Sequence, residues 1–257
     1  MNRETLRSFL QSEERQPFEG WDFSYLSGRI AGSPLDWSYP SILFQLLRGG
    51  DPPKSLLDMG TGGGEFFSTL HPFPPFTCVT EAYPPNALIA RRRLEPLGVL
   101  VFEIEEDDPA LPFADGQFEL VANRHEYYDP AEVFRITAPD GQFVTQQVGG
   151  LNDIELIEKL GGERPEEDRG LNLARDVEEI RSAGFTVLRA QECVTKTRIF
   201  DAGAVVYYFK ALPWEIPGFS VDTHFEALAR IHDEIEANGF IETGLHRLLI
   251  VASKRDG

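Results

Sequence analysis

Basic residues are scarce in this chain: 24 lysines and arginines face 42 aspartates and glutamates, for a formal net charge of −18. A field of that sign repels phosphate backbones and anionic lipid, so nucleic acid and membrane surfaces are disfavoured as partners. The only basic triplet, Arg91-Arg92-Arg93, falls in a helical pattern far from any glycine cluster and reads as a solvated helix face. Cysteine is rarer still. Cys78 and Cys193 stand alone in strand-like surroundings and can form neither a disulfide framework nor a zinc-binding spacing. No apolar run approaches the ~18 residues of a membrane span. The opening stretch, MNRETLRSFLQSEERQPFEG, is charged throughout and lacks the apolar core of a signal peptide. The expectation is a cytoplasmic protein.

What is present is enough apolar residue, 42% of 257, to build one sizeable core. Residues 1–50 read as a helical and aromatic extension: an amphipathic start at Arg3 to Gln11, the stretch GWDFSYLSGR, and a helix from Tyr39 to Leu47 stopped by Gly49-Gly50. From Ser55 the pattern alternates. Strand signals at Leu56 to Met59, Thr77 to Glu81, Val99 to Phe102, Phe118 to Asn123 and Phe143 to Gln147 enclose helical stretches at Glu65 to Leu70, Asn86 to Leu94 and Pro130 to Ile136. A helix at Leu173 to Ala183, a strand near Phe185 to Gln191, helices at Ala202 to Leu212 and His224 to Asn238, and a strand at Arg247 to Ser253 follow. The expected fold is α/β: a doubly wound, mostly parallel, seven-stranded Rossmann-like sheet, with a helical insertion between its last two strands. The expected organisation is a cap over residues 1–50 and a main domain over 51–257, with a lid at 202–242.

The stretch SLLDMGTGGGEFF, residues 55–67, runs a short strand into a glycine cluster. A dinucleotide fingerprint would need glycine where Glu65 stands, and a triphosphate loop would need a lysine that does not follow. The remaining pattern is Gly60, Gly62 and Gly64 bracketed by Asp58 and Glu65. A carboxylate at a helix opening repels the anion that a helix N-terminus attracts, so the loop suits a neutral or cationic ligand.

A strand ending in Asp58, then Gly-x-Gly-x-Gly, then a second strand closed by Glu81, resembles the class I S-adenosylmethionine-dependent methyltransferases. DDPALPFADGQFELV (107–121) looks like the family's segment joining the third and fourth strands, and RITAPDGQFVT (135–145) is similar to its approach to the fifth. The nearest resemblance is to the type-11, ubiquinone-biosynthesis-like branch, with one departure: Pro139-Asp140-Gly141 stands where the family often has Pro-Gly-Gly. The resemblance implies S-adenosylmethionine as cofactor. It implies that Gly60, Thr61, Gly62 and Gly64 let the backbone approach the methionine and ribose portions, that Asp58 attracts the ammonium, that Glu81 accepts the ribose hydroxyls, that Asp107 bonds the adenine amino group, and that Asn123 closes the site. As a strand-end acid with little packing, Glu81 is expected to matter for binding and not for stability.

Asn123-Arg124-His125-Glu126 ends the fourth expected strand, at the edge where methyl donor and acceptor meet. Methyl transfer from an activated sulfonium needs alignment first and a base only for an acceptor of high pKa. His125 is the candidate to take or orient the acceptor's proton, since imidazole titrates near neutrality, with a structural histidine bonded to a backbone carbonyl as the equal alternative, and Glu126 is the second candidate base. His125, Glu126 and Asp129 match no metal-ligand spacing, so no metal is expected. Trp21, Phe23, Tyr25, Trp37 and Tyr39 read either as core or as an aromatic lid over a sulfonium. The expected function is methyl transfer to a small molecule. Methylation of RNA, or cofactor binding without turnover, are the alternatives.

Overall fold

The structure, a computed structural model, describes residues 1–105, 110–163 and 170–255. The elements before the glycine loop are α1 (Arg3–Glu14), β1 (Ile30–Gly32) and α2 (Tyr39–Arg48). Both helices are capped by side chains: Asn2 accepts from Thr5 N, and Ser38 from Ser41 N with Pro40 in the first turn. The alternating part then runs β2 (Ser55–Met59), α3 (Glu65–Ser68), β3 (Phe76–Glu81), α4 (Pro84–Leu94), β4 (Leu100–Glu103), β5 (Phe118–Arg124), α5 (Pro130–Ile136) and β6 (Thr137–Val148). It closes with α6 (Ile154–Lys159), α7 (Leu173–Ser182), β7 (Thr186–Ile199), α8 (Ala202–Ala211), α9 (Val221–Asn238) and β8 (Ile241–Ser253).

One sheet holds all eight described strands in the order β1-β7-β8-β6-β5-β2-β3-β4. The pairings β6-β5, β5-β2, β2-β3 and β3-β4 are parallel, whereas β6-β8, β8-β7 and β7-β1 are antiparallel. The expected seven-stranded sheet is therefore corrected to a mixed one of eight. The additional strand, Ile30–Gly32, comes from the N-terminal extension and pairs with Thr197–Ile199 on the outer edge. Strands β7 and β8 are also longer than expected. Their distal parts, such as Arg198 against Glu242 and Lys196 against Gly244, form a ribbon that β1 flanks and whose polar side chains mask the apolar alternation.

Adjacent strand residues feed opposite cores, as the two-residue period requires. Leu56, Leu120, Val144 and Leu249 pack on one face beneath α2, α3 and α4, while Leu57, Val121, Phe143 and Ile250 pack on the other beneath α5 and α7. A third core is separate from the sheet faces: Leu6 and Leu10 of α1 join Val205 and Phe209 of α8 and Leu228 of α9. In the turn Pro139-Asp140-Gly141, Asp140 adopts φ 60°, a left-handed conformation that aspartate tolerates better than most residues. Sequential strands leave β2 in opposite directions, toward β3 on one side and β5 on the other. The carboxyl ends of β2 and β5 thus flank a topological switch point, where open α/β sheets bind ligands.

Candidate functional site

Met59 ends β2, and the next residues form a loop in which Gly60, Gly62 and Gly64 have φ of 64°, 62° and 75°. Each glycine has a further steric reason. A Cβ on Gly60 would lie 2.4 Å from Glu126 Cγ, one on Gly62 2.9 Å from Trp21 Cβ, and one on Gly64 2.8 Å from Leu94 Cδ1. The loop is tied to the end of β3: Thr61 N donates to Thr80 O at 3.0 Å, and Gly62 N donates to Glu81 Oε2 at 2.7 Å.

Three acids surround this loop, each held differently. Asp58, 4% exposed, has its pKa pushed up to about 7 by burial, against the stabilising influence of Thr61 and Arg124. Glu81 is also raised by burial, and the backbone donors Tyr83 N (2.8 Å to Oε1) and Gly62 N oppose the rise. It is therefore a structural clamp as well as a candidate ribose acceptor, which corrects the expectation that the folded state would not miss it. Glu65 pairs with Arg93, and Arg93 also donates to Gly63 O. The reading of the arginine triplet as a purely solvated face is corrected at this residue: the last turn of α4 swings Arg93 onto the glycine loop and offsets the charge at the opening of α3.

At the carboxyl end of β5, Asn123 is buried and its Oδ1 accepts from Gln147 Nε2 (2.6 Å) and Thr145 Oγ1 (3.2 Å), while its Nδ2 has no hydrogen-bond partner. Arg124 lies opposite Gln146 of β6. His125 has φ 63°, which turns the chain sharply out of the strand. Its tautomer follows from its neighbours. Trp37 Nε1 can only donate, and it donates to Gln146 Oε1 at 2.9 Å. Gln146 Nε2 therefore faces His125 Nε2 at 3.2 Å as donor, and the neutral imidazole carries its proton on Nδ1. Burial, together with the guanidinium groups of Arg247 and Arg124, holds the His125 pKa well below the usual imidazole range. Glu126 lays its side chain on Gly60.

Beside this end of the sheet opens a cleft of about 610 Å³, lined by Leu35, Trp37, Tyr39, Arg124 and Gln146 among others. Tyr39 is anchored by a hydrogen bond from its hydroxyl to Asn123 O (3.0 Å). Against the glycine loop at Gly62 stands the exposed Trp21 of the extension (41% exposed), and its ring stacks on Trp214 from the segment between α8 and α9 (55%), with ring planes 6° from parallel and centroids 6.1 Å apart. The aromatic stretch thus divides. Trp21, Phe23 and Tyr25 meet Trp214, Tyr208 and Tyr207, whereas Trp37 and Tyr39 pack toward the sheet.

Of the residues singled out from sequence, Asp58, Gly60, Thr61, Gly62, Gly64, Glu81, Asn123, His125 and Glu126 all lie at the carboxyl ends of β2, β3 and β5 or in the loops that follow. Asp107 lies outside the described residues. Among the described residues no group of three or more His, Cys, Asp or Glu could hold a metal ion. From sequence, Arg93 reads as part of a solvated face, and Arg124, Gln146 and Trp214 carry no assigned role. A parallel register of β5 with β6 could have paired Arg124 with Gln146; for Arg93 and Trp214 nothing local in the sequence signals the contact.

No family model matches the chain. A demethylmenaquinone methyltransferase of Thermus thermophilus is 34% identical over 122 residues, which is 44% of this chain and 54% of that protein. The chain thus spans about half the length of the curated relative it matches. A candidate methyltransferase of Bacillus halodurans C-125 superposes with a TM-score of 0.61 at 16% identity, over 86% of this chain and 100% of the other. The YcgJ protein of Bacillus subtilis does so with a TM-score of 0.56 at 17% identity, over 85% and 98%. The fold is the Rossmann-like methyltransferase fold.

Proposed function

We propose that this chain is an S-adenosylmethionine-dependent methyltransferase acting on a small molecule. The observation that carries the reading is the left-handed Gly60-Gly62-Gly64 loop clamped by the buried carboxylate of Glu81. Fold alone does not establish an activity. Support for this one comes also from the curated relative, a demethylmenaquinone methyltransferase.

The residues present fit the cofactor. A carboxylate has about four acceptor directions, and the backbone N–H groups of Gly62, Tyr83 and Ala82 bear on Glu81, which leaves acceptor capacity for a ribose hydroxyl. Asp58 and Glu126 set negative charge beside the loop for an ammonium and a sulfonium, and the buried Nδ2 of Asn123 is a donor without a partner. When bound, the cofactor supplies an electrophilic methyl group on a sulfonium. The protein's task is then alignment and exclusion of water.

Trp21 stands against Gly62 and stacks on Trp214, which supports residues 1–50 as a cap and 202–242 as a lid over a methyltransferase domain spanning 51–257. His125 offers the acceptor Nδ1–H and orients it, because its Nε2 lone pair is engaged by Gln146 and its basicity is low. No described helix is long and apolar enough to cross a membrane. A cytoplasmic location and a soluble acceptor are part of this reading.

The test begins with binding. S-adenosylmethionine and its demethylated product should titrate with dissociation constants of about micromolar order, and NAD and ATP should not. Labelled cofactor incubated with fractionated cell extract should then place label in the small-molecule fraction. Comparable NAD binding overturns the cofactor assignment, and label confined to RNA or protein overturns the acceptor class.

A further inference from the structure

We propose that Arg124 is the specificity determinant of the acceptor cleft and that the acceptor carries an anionic oxygen group on a flat apolar body. This rests on the methyltransferase reading above for the word acceptor, though not for the existence of the anion site.

The polar groups lining the cleft are already committed, with one strong exception. Trp37 Nε1–H is spent on Gln146 Oε1, Gln146 Nε2 on His125, and the Tyr39 hydroxyl on Asn123 O. Ser38 Oγ faces its own helix, against Ser41 N and Ser41 Oγ. Arg124 differs. Among the described residues its guanidinium makes no hydrogen bond or ion pair; it lies over the Phe66 ring at 4.8 Å, which holds the side chain in place without using its N–H donors. It is solvent-exposed in the cleft wall. The surrounding protein nonetheless strips enough hydration to lower its pKa, as a concave site does. An uncommitted fork of donors in a partly dehydrated cleft is the arrangement that binds carboxylate or phosphate oxygens in two parallel bonds.

The rest of the lining sets the shape of the ligand. Trp37, Tyr39, Leu35, Pro34 and Pro40 present flat or apolar surfaces around the guanidinium. Asp36 is the one acid in the lining; it is exposed and forms no ion pair with Arg124. On a chain of net charge −18, an anion finds little attraction elsewhere, so a local guanidinium decides whether it stays. The same charge favours the ionised form of a weakly acidic acceptor. That form is the better nucleophile, and its arrival deprotonated removes the need for a strong base at His125.

Benzoate, phenyl phosphate and the uncharged benzamide serve as probes, with binding read by saturation-transfer NMR and tryptophan fluorescence in the presence of the demethylated cofactor. At least one of the two anions should bind wild type about tenfold or more tightly than benzamide, as expected for charge-assisted bonds. Which anion binds better tells a carboxylate-type acceptor from a phosphorylated one. Arg124→Gln should abolish the preference and Arg124→Lys should restore part of it, and Arg124→Lys, which keeps a positive charge beside Asp58, should keep wild-type affinity for the demethylated cofactor. Equal binding of benzamide and the anions, no binding of either anion at about 10 mM, or a preference that survives in Arg124→Gln overturns the proposal. The wild-type comparison needs no variant to fold. A protein that binds the anions through Arg124 but not the cofactor sinks the methyltransferase reading and leaves the anion site standing.

Discussion

Asp58→Asn should stabilise the cofactor-free protein at neutral and alkaline pH, and the gain should vanish in acid. Asp58 has a folded-state pKa of about 7 against an ordinary 3.8. The folded state therefore holds more protons than the unfolded state between those values, so stability falls as pH rises through that window and the full cost is present above it. A shift of about three units at 1.36 kcal/mol each bounds the cost at about 4 kcal/mol. The attraction of Thr61 and Arg124 already acts within that shift; relaxation and water entry around the buried carboxylate reduce the net gain to about 2 kcal/mol. For a domain of this size that is a rise of roughly 4 to 8 °C in Tm near pH 8, shrinking to nothing near pH 4. Melting curves of both proteins across this range isolate Asp58, because Glu81 and Asp176, whose pKa values are also raised, are common to both. In the methyltransferase reading, the cofactor ammonium draws Asp58 into its ionised form, so wild-type binding near pH 6 to 7 releases protons and Asp58→Asn releases fewer; calorimetry in buffers of different ionisation enthalpy measures the difference. A difference in Tm that stays constant with pH would refute the reasoning, since a buried carboxyl that costs nothing to ionise is not buried in the sense used here.

Glu81→Ala should weaken binding of the demethylated cofactor by more than about tenfold and also lower Tm, because Gly62 N and Tyr83 N lose a charged acceptor; unchanged Tm would remove the clamp. Gly62→Ala places a side chain at φ 62° and a Cβ 2.9 Å from Trp21, so calorimetry should show loss of cofactor affinity, with tryptophan emission altered as the indole is displaced. For His125, the low pKa and the engaged Nε2 mean that methyl-transfer rates should show no step near the ordinary imidazole pKa, where the sequence alone leads one to look. A step there that disappears in His125→Ala restores the general base.

Reading strands and helices from the chain succeeds where apolar periodicity is strong and fails where tertiary pairing supplies the strand. Leu56 to Met59 and Phe118 to Asn123 are apolar because helices cover both faces, and that burial is what makes them legible. Ile30–Gly32 has three residues and little burial, so its strand exists only because Thr197–Ile199 offers an open edge. The site divides in the same way. Gly60, Gly62, Gly64 and Glu81 act through local backbone geometry, which spacing encodes. Arg93, Arg124 and Trp214 act through contacts across the fold, and an arginine in a helix or at a strand end looks the same in sequence whether it faces water or a loop.

Residues 1–50 and 202–242, separated in sequence by most of the chain, share one core. Leu6 and Leu10 of α1 share a core with Val205, Phe209 and Leu228, and Arg29 joins Glu13 at 2.8 Å to Asp201 at 2.5 Å. Phe18 and Phe23 each pack edge to face on Trp21, and they lie against Tyr207 and Tyr208 of α8. A body held by a common core cannot admit a ligand by moving one half alone without exposing that core, which costs about 25 cal/mol per Å² of apolar surface. The extension and the insertion must therefore open together or stay put. Trp21, which stands against Gly62, and its stacking partner Trp214 are the least buried members of the aromatic cluster, so separating their near-parallel rings exposes little further apolar surface.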